Sequence, residues 1–192
     1  KVTGLPIIST NANFHTSSLW QYDPAGAGSW TQMTMTLPSP YVLWDWRDGG
    51  PPYNDGVRQI SMDGDDSAYI YFVAHNSTTS AQALLLIKTS ISTFTPRIRT
   101  TSFMGGCQEF EVSAANSDII YIANYDGYNN RSMYKSADGG QTFSNFPTNG
   151  HADGRCLYVY NTSSSAINDV VYLGNDGGIR KKRKGHNYMQ SI

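Results

Sequence analysis

The sequence predicts an all-β fold built from repeated antiparallel sheets, and three observations lead to that prediction. Helical periodicity is almost absent along the 192 residues, whereas short runs of β-branched and aromatic residues recur between turn residues. The chain has 13 tyrosines and 4 tryptophans, which suit pleated, half-buried surfaces. The runs also return at a regular spacing. The predicted strands are 70–74, 83–89, 118–124, 132–135, 157–160 and 170–174.

The regular spacing comes from one repeated segment. Three copies share the order of polar residue, β-branched or apolar run, tyrosine and turn: 67–77, 117–127 and 168–178. Their tyrosines, Tyr71, Tyr121 and Tyr172, lie about 50 residues apart. A period of that length, made of short strands, is typical of the four-stranded blades of a β-propeller.

The number of blades follows from the period. A blade needs about 40–50 residues, so the chain holds a little under four. The first repeat lacks room for an innermost strand before Ile7, and we expect the chain to begin inside a blade. A part of a propeller would expose unpaired strand edges, so we expect a larger propeller. The predicted boundaries are 1–37 for a partial first blade, 57–100, 105–147 and 154–192 for the others, with an inserted loop at 38–56.

The segment 136–143 concentrates turn residues between two predicted strands. Asp138 can accept hydrogen bonds from its own turn, Gly140 can adopt a positive φ, and Phe143 is expected to pack between neighbouring strands. The segment resembles the Asp-box, a hairpin signature of many β-propellers (BNR repeats), with phenylalanine replacing the usual tryptophan. The predicted structural residues of this Asp-box are Ser136, Asp138, Gly140, Thr142 and Phe143.

The other hairpins keep less of this pattern. Trp30, Phe94 and Tyr188 are predicted to be the counterparts of Phe143. The last hairpin carries the basic cluster 180–184, where we expect a solvated charged turn rather than a nucleic-acid patch.

The segment 150–181 adds a more specific resemblance. Its His-x-Asp turn, His151 to Asp153, and its Gly-Asn-Asp-Gly-Gly turn before Ile179 resemble a blade of sortilin-type propellers and of secreted bacterial BNR-repeat proteins. The same broad group includes sialidases and xyloglucan-active glycoside hydrolases. The resemblance covers most of residues 60–192, and its motifs imply a fold rather than an activity.

The inserted loop carries the candidate functional residues. Aromatic side chains supply faces for sugar stacking, and carboxylates bind hydroxyls or perform acid–base chemistry. The predicted ligand-binding residues are Trp44, Trp46, Arg47 and Tyr53. The carboxylates considered for catalysis are Asp45, Asp48 and Asp55. The alternative is a covering loop with packed tryptophans and with Arg47 paired to Asp45 or Asp48.

Catalysis would need more than this loop contains. A glycoside hydrolase places two carboxylates about 5–10 Å apart across a cleft, and nothing in the sequence pairs the loop with a second carboxylate. A sialidase would need three arginines on the substrate carboxylate, and the segment 96–99 has the residues but not the order of the usual lead-in.

Other polar groups are predicted to be structural. His151, Asp153 and Asp176 fit turns better than a metal site, and no cofactor is predicted. Glu109 and Glu111 lie on a predicted inner strand, where they could line the channel. Cys107 and Cys156 begin adjacent inner strands, and their pairing stays open.

Composition limits the partners. The net charge is -1 and only 15% of residues are charged, so neither nucleic acid nor membrane insertion is expected. Three Asn-x-Ser/Thr sites at Asn76, Asn130 and Asn161, all in predicted loops, favour an exported protein. We expect a secreted or cell-surface module that recognises a glycan or a protein. The alternatives are a glycoside hydrolase other than a sialidase, and a structural module of a large surface protein.

Overall fold

The structure is a computed structural model. It describes residues 7–11, 17–23, 28–32, 34–35, 39–42, 60–62, 69–76, 82–88, 93–94, 97–100, 107–124, 132–148, 151 and 153–192. Side chains are described for residues 22, 28–32, 39–40, 109–124, 132–148, 151 and 153–192.

The chain divides into two compact units. The first consists of Lys1–Met62 and Asp66–Thr101, and the second of Asp63–Asp65 and Ser102–Ile192. The described strands of the first unit are β1 (Ile7–Asn11), β2 (Ser17–Asp23), β3 (Ser29–Gln32), β4 (Thr34–Met35), β5 (Tyr41–Val42), β6 (Ile60–Met62), β7 (Tyr69–Asn76), β8 (Gln82–Lys88), β9 (Thr93–Phe94) and β10 (Arg97–Thr100). In the part of the chain that is described, no helix is long and apolar enough to cross a membrane.

The first unit contains two antiparallel sheets and a short parallel pair. One sheet has the order β1-β2-β3, and the other has β10-β8-β7 with both β5 and β6 on the free side of β7. Strands β4 and β9 form the parallel pair.

The pairing on β7 locates the two ends of the segment 43–59. Val42 lies opposite His75, and Ile60 lies opposite Phe72, so only two residues of β7 separate the pairings. Strands β5 and β6 thus occupy successive parts of one edge position. Strand β5 falls inside the loop predicted at 38–56, so the segment 43–59 interrupts an edge strand of this sheet rather than preceding the sheet.

The second unit contains two four-stranded antiparallel sheets. We call the first blade 3; it has the order β11 (Cys107–Ser113), β12 (Asn116–Asn124), β13 (Met133–Ser136) and β14 (Ser144–Asn145). We call the second blade 4; it has the order β15 (Gly154–Tyr160), β16 (Val170–Asn175), β17 (Gly178–Lys182) and β18 (Gln190–Ser191). A short 3-10 helix, Ala166–Asn168, joins β15 to β16.

Blades 3 and 4 share their strand register, including an irregularity at the start of each first strand, except that blade 3 has a further irregularity between Val112 and Ser113. Strand pairing therefore gives each position of one blade a counterpart in the other. The counterparts, blade 3 first, are Glu109 and Cys156, Glu111 and Tyr158, Tyr121 and Tyr172, Ala123 and Gly174, Met133 and Ile179, Lys135 and Lys181, and Ser136 and Lys182.

The core of the second unit lies between its two blades. Side chains alternate along a strand, so Val171 and Leu173 face blade 3 while Tyr172 faces away from it. The buried cluster consists of Tyr121, Ala123, Met133 and Phe146 from blade 3 with Leu157, Val171, Leu173 and Met189 from blade 4. Burial of each large apolar side chain contributes about 1.5–3 kcal/mol.

Gly154 allows the blades to approach closely. A Cβ atom at this position would collide with the backbone oxygen of Ser132 and would come within 3.0 Å of the backbone nitrogen of Asn124, both in blade 3. A larger residue at the start of β15 would therefore push the two sheets apart.

Candidate functional site

The hairpin between β13 and β14 is organised by one carboxylate. Asp138 Oδ1 accepts hydrogen bonds from the backbone N–H groups of Gln141 at 3.0 Å and Thr142 at 2.9 Å. Asp138 Oδ2 accepts from the Thr142 hydroxyl at 2.6 Å. These bonds, the hydroxyl bond first, lower the pKa of Asp138 to about 2. A carboxylate with so low a pKa is unsuited to general acid catalysis at neutral pH.

A serine completes the same turn. The Ser136 hydroxyl donates to Asp138 Oδ1 at 2.8 Å and accepts from the backbone N–H of Gly140 at 2.8 Å. Gly139 and Gly140 have φ values of 66° and 84°, which side chains rarely tolerate. Phe143 is buried. All five residues of the predicted Asp-box thus lie in one hairpin, and the hydrogen bonds of its polar residues stabilise the turn.

The corresponding hairpin of blade 4 is held by a lysine. Lys182 is 1% exposed, and its Nζ donates to the backbone oxygens of Ile167 at 3.1 Å and Asp169 at 2.6 Å. Burial lowers the pKa of Lys182, and the charge of Asp169 partly opposes that shift. The expectation of a solvated turn at 180–184 is therefore wrong for Lys182, because β17 extends through it; only the last two residues of the cluster are exposed.

The register also corrects a predicted equivalence. Gln190 is the counterpart of Ser144, so Met189, not Tyr188, is the counterpart of Phe143. Met189 and Phe143 are both buried, whereas Tyr188 is exposed.

A buried aspartate joins blade 4 to blade 3. Asp169 Oδ2 accepts a hydrogen bond from the Tyr121 hydroxyl at 3.0 Å, and Oδ1 accepts from the Ser113 hydroxyl at 2.9 Å. The Asn161 amide donates to Oδ1 at 2.5 Å. Burial, followed by the charge and hydrogen bond of Asp169, raises the pKa of Tyr121. The network ties the two blades together.

One glycosylation sequon, at Asn76, differs from expectation, whereas Asn161 lies in a loop after β15 as expected. Asn76 is the last residue of β7 rather than a loop residue. The Asn161 amide is engaged with Asp169 and with the backbone oxygen of Ser165 at 3.0 Å, so a glycan there would break the network. Asn130 lies outside the described residues.

A polar cluster surrounds the turn between β16 and β17. Arg155 Nε donates to Asp176 Oδ1 at 3.2 Å, and its Nη2 lies 4.0 Å from Asp153 Oδ2. The Asn175 amide donates to the backbone oxygen of His151 at 3.1 Å. One arginine thus engages both carboxylates, and the described residues contain no group of three or more side chains suited to a metal.

A cleft of about 400 Å³ opens on the face of blade 4 that points away from blade 3. Most of its lining is apolar or aromatic, including Tyr158, Tyr172 and Ile179, and Glu109 of blade 3 also lines it. Glu109 Oε2 accepts a hydrogen bond from the backbone N–H of Leu157, so it bonds to the neighbouring blade. Burial raises the pKa of Glu109, and this hydrogen bond partly opposes the shift.

The structure leaves several predicted residues undescribed. Seven of them lie outside the described residues: Trp44, Asp45, Trp46, Arg47, Asp48, Tyr53 and Asp55. The structure locates only the two ends of their segment, which pair with β7. Cys156 is a free, exposed thiol, and the side chain of Cys107 is not among those described.

Comparison with known proteins bears on the fold. No protein-family model matches the chain, and no curated protein matches it in sequence. Solved structures do match. One is a GH74 enzyme of Niastella koreensis, with a TM-score of 0.60 and 20% identity over 98% of this chain and 30% of that chain. Another is the GH74 xyloglucanase of Xanthomonas campestris, with a TM-score of 0.55 and 14% identity over 98% of this chain and 28% of that chain.

The fold is a β-propeller. The all-β prediction with four-stranded antiparallel blades is confirmed, and both neighbours share this architecture. The chain spans less than a third of the length of either neighbour, which is consistent with the prediction of a larger propeller.

Proposed function

We propose that this chain belongs to an extracellular propeller that recognises a polysaccharide through the inserted segment 43–59. The main supporting observation is the anchoring of that segment. Its two ends, Val42 and Ile60, pair with one strand and are separated by only two residues of it. The pairing positions on β7, Phe72 and His75, are three steps of about 3.3 Å apart, or about 10 Å, whereas seventeen residues of sequence lie between Val42 and Ile60, far more than are needed to span that distance.

The composition of the segment supports a glycan as the ligand. Trp44, Trp46 and Tyr53 offer flat faces on which sugar rings stack, and Arg47 can donate to hydroxyl groups. The likeness of the fold to a xyloglucanase from Xanthomonas campestris makes a β-linked glucan backbone the first polymer to test.

The second candidate function is hydrolysis of such a polysaccharide. It is favoured because both structural neighbours are GH74 enzymes. Asp45, Asp48 or Asp55 would supply one carboxylate.

The test is binding and hydrolysis of soluble xyloglucan and of unsubstituted β-1,4-glucan oligosaccharides by the 192-residue chain. Trp44→Ala is compared with Trp30→Ala, an exposed tryptophan on β3 outside the segment. Asp45→Ala is compared with Asp118→Ala, an exposed aspartate of blade 3.

Binding that Trp44→Ala reduces at least tenfold and Trp30→Ala leaves unchanged would support recognition; alanine in place of a stacked aromatic ring costs about that much. Released sugar that disappears with Asp45→Ala but not with Asp118→Ala would support the hydrolase instead. If the chain binds neither polymer, both candidates are wrong, and a structural module of a larger surface protein is the remaining alternative.

A further inference from the structure

Positive charge is concentrated in the last two strands of blade 4 and the hairpin between them. Residues 177–192 contain lysine or arginine at the five positions 180–184 and no aspartate or glutamate, although the whole chain has a net charge of -1. Basic residues are therefore segregated in this segment, and the rest of the chain is acidic. Charge of one sign that is gathered on one surface attracts ligands of the opposite sign.

Three of the five basic side chains are engaged within the second unit. Lys182 is buried and donates to backbone oxygens of the loop before β16. Arg180 Nη1 donates to the Ser191 hydroxyl. Lys181 Nζ lies 4.9 Å from the centroid of the Tyr172 ring. These three side chains hold the sheet and its hairpin together, so their charges have a structural role.

The other two, Arg183 and Lys184, are exposed. Neither forms an ion pair with any residue that the structure describes. Asp169, at the same end of blade 4, is buried, and its carboxylate accepts hydrogen bonds from Tyr121 and Ser113. In the described part of the chain, two neighbouring cations thus face solvent without a carboxylate partner.

The turn that carries these cations is held in a defined conformation. We call it the basic turn; it runs from Arg183 through Lys184 and Gly185 to His186. The His186 N–H donates to the Arg183 oxygen at 3.1 Å, and Gly185 has a φ of 75°, as the third residue of a type II turn requires. The Gly185 N–H also donates to the Ile167 oxygen at 3.0 Å. A backbone that is already ordered loses less entropy when a ligand binds.

An aromatic ring lies on the same hairpin, four residues after Lys184. Tyr188 is 40% exposed, and the His186 ring packs against it edge-on, with the centroids 5.2 Å apart and the planes at 82°. The Gln190 amide donates to the Tyr188 hydroxyl at 3.3 Å. The hairpin therefore combines two free cations with an exposed aromatic ring whose position is fixed by its neighbours.

The hairpin of blade 3 shows that the fold does not require this combination. Its charged group, Asp138, accepts hydrogen bonds from its own turn and from the Thr142 hydroxyl. In blade 4 the anchoring role belongs to Lys182, which leaves Arg183 and Lys184 without a structural task among the described residues. Exposed charged residues of this kind are better explained by a ligand than by stability.

We propose that the basic turn binds an acidic polysaccharide, a polymer that contains uronate sugars, with Arg183 and Lys184 on its carboxylates and Tyr188 against a sugar ring. Arginine and lysine donate charge-assisted hydrogen bonds to carboxylates, and aromatic faces pack on the apolar faces of sugars. This site is independent of the segment 43–59, because all its residues belong to one hairpin of blade 4.

The small number of free cations favours a ligand with widely spaced charges. Duplex DNA carries one negative charge per about 1.7 Å of its axis, and tight binding neutralises many phosphates at once. The basic turn offers two free cations on a chain that is otherwise acidic, so a dense polyanion would be repelled beyond the turn. A uronate polymer carries at most one carboxylate per sugar ring and also presents ring faces to Tyr188.

The test is the binding of a fluorescently labelled oligogalacturonate to the 192-residue chain, measured by fluorescence anisotropy at low salt and at about 0.15 M salt. The double variant Arg183→Gln, Lys184→Gln removes both charges and keeps polar side chains. At low salt its affinity should be at least about tenfold lower than that of the wild-type chain. Wild-type affinity should itself fall at the higher salt, because exposed ion pairs are screened.

Matched variants distinguish the basic turn from the overall charge of the chain. Lys184→Gln is compared with Arg155→Gln, which removes one exposed positive charge at the opposite end of blade 4. Lys184→Gln should weaken binding about threefold, and Arg155→Gln should leave it unchanged. Tyr188→Leu keeps an apolar side chain but removes the flat ring, and it should also weaken binding about threefold, which attraction between charges alone does not predict.

Several results would overturn this assignment. Absence of binding at low salt, or equal losses in Lys184→Gln and Arg155→Gln, would show that the turn is not a specific site. Tighter binding of a DNA duplex would assign the two cations to a nucleic acid, and binding of phosphatidylglycerol vesicles in place of the oligosaccharide would assign them to a membrane surface. Trp44→Ala should leave oligogalacturonate binding unchanged; a loss in that variant would assign the binding to the segment 43–59 instead.

Discussion

The outer hairpins of blades 3 and 4 occupy the same position in the same register, but opposite chemical groups hold them. In blade 3 the carboxylate of Asp138 accepts hydrogen bonds from backbone N–H groups of its own turn. In blade 4 the side chain of Lys182 donates hydrogen bonds to two backbone oxygens of the loop before β16. In each hairpin a glycine N–H also donates to a backbone oxygen of the same blade, from Gly139 to Asp118 on β12 and from Gly185 to Ile167 before β16.

This difference shows that the fold repeats a geometry rather than a set of residues. A hairpin at this position must satisfy its own polar groups and attach to the second strand of its blade. Acceptors within the turn, as in blade 3, or one long donor side chain, as in blade 4, can meet both requirements. The lysine-rich hairpin departs from the Asp-box pattern in that Lys182 stands at the position of Ser136, and its side chain donates to the backbone oxygens of Ile167 and Asp169.

The largest effect on stability should come from Asp169, which is buried in blade 4, whereas its counterpart Asp118 in blade 3 is exposed. Asp169→Ala would leave the buried hydroxyls of Tyr121 and Ser113 and the half-buried amide of Asn161 without this acceptor and should lower the free energy of unfolding by about 3–5 kcal/mol. Asp118→Ala, at the exposed counterpart, should change it by less than about 0.5 kcal/mol. Urea unfolding of both variants measures the contrast; similar losses would mean that the network does not join the blades.

Lys182→Ala should have the next largest effect. It removes a buried side chain and leaves the Asp169 backbone oxygen without this donor, while the Ile167 oxygen keeps the N–H of Gly185, at a cost of about 2–3 kcal/mol in the free energy of unfolding. Lys184→Ala, in the exposed part of the same cluster, is the matched control and should change stability by less than about 0.5 kcal/mol. Equal effects in urea unfolding would show that Lys182 is solvated like the exposed part of the cluster 180–184.

Two variants of Glu109 distinguish the contribution of its hydrogen bond between the blades from the contribution of its charge. Glu109→Ala leaves the buried Leu157 N–H without an acceptor and should lower the free energy of unfolding by about 1–3 kcal/mol. Glu109→Gln keeps an acceptor and removes a charge whose burial is unfavourable, as the raised pKa of Glu109 indicates, so it should cost less than about 1 kcal/mol at pH 7. A glutamine variant as unstable as the alanine variant would show that the charge itself is required.

The smallest effect should come from the hairpin of blade 3. Asp138→Ala removes local hydrogen bonds at an exposed turn and should lower the free energy of unfolding by about 1 kcal/mol. The pKa of Asp138 is lowered from 3.8 to about 2, so the carboxylate stabilises the folded state fully above pH 3.8, and this contribution is lost as the pH falls through about 2. Unfolding of the wild-type chain and the variant between pH 6 and pH 2 should therefore converge at the acid end; a constant difference would contradict the role of the ionised carboxylate.

Much of the fold was accessible from the sequence because its signals are local. The alternation of β-branched residues and the turn residues around Asp138 depend on neighbours within a few positions, and the tyrosine period repeats such a local pattern about every 50 residues. The bonds of Asp138 span at most four residues. For the same reason the aromatic, acidic content of the segment 43–59 could be recognised as a candidate ligand surface.

The tertiary structure alone decided which equivalent residues differ in role. The aspartates at 118 and 169 share a sequence pattern, yet only Asp169 is buried, because its partners Tyr121 and Ser113 lie 48 and 56 residues away. Likewise the basic cluster did not reveal that Lys182 is buried, since that depends on the exact end of β17 and its pairing with β16. Sequence determines contacts that a few bonds of chain bring together; packing of one sheet on another determines the rest, because it juxtaposes residues that no local pattern relates.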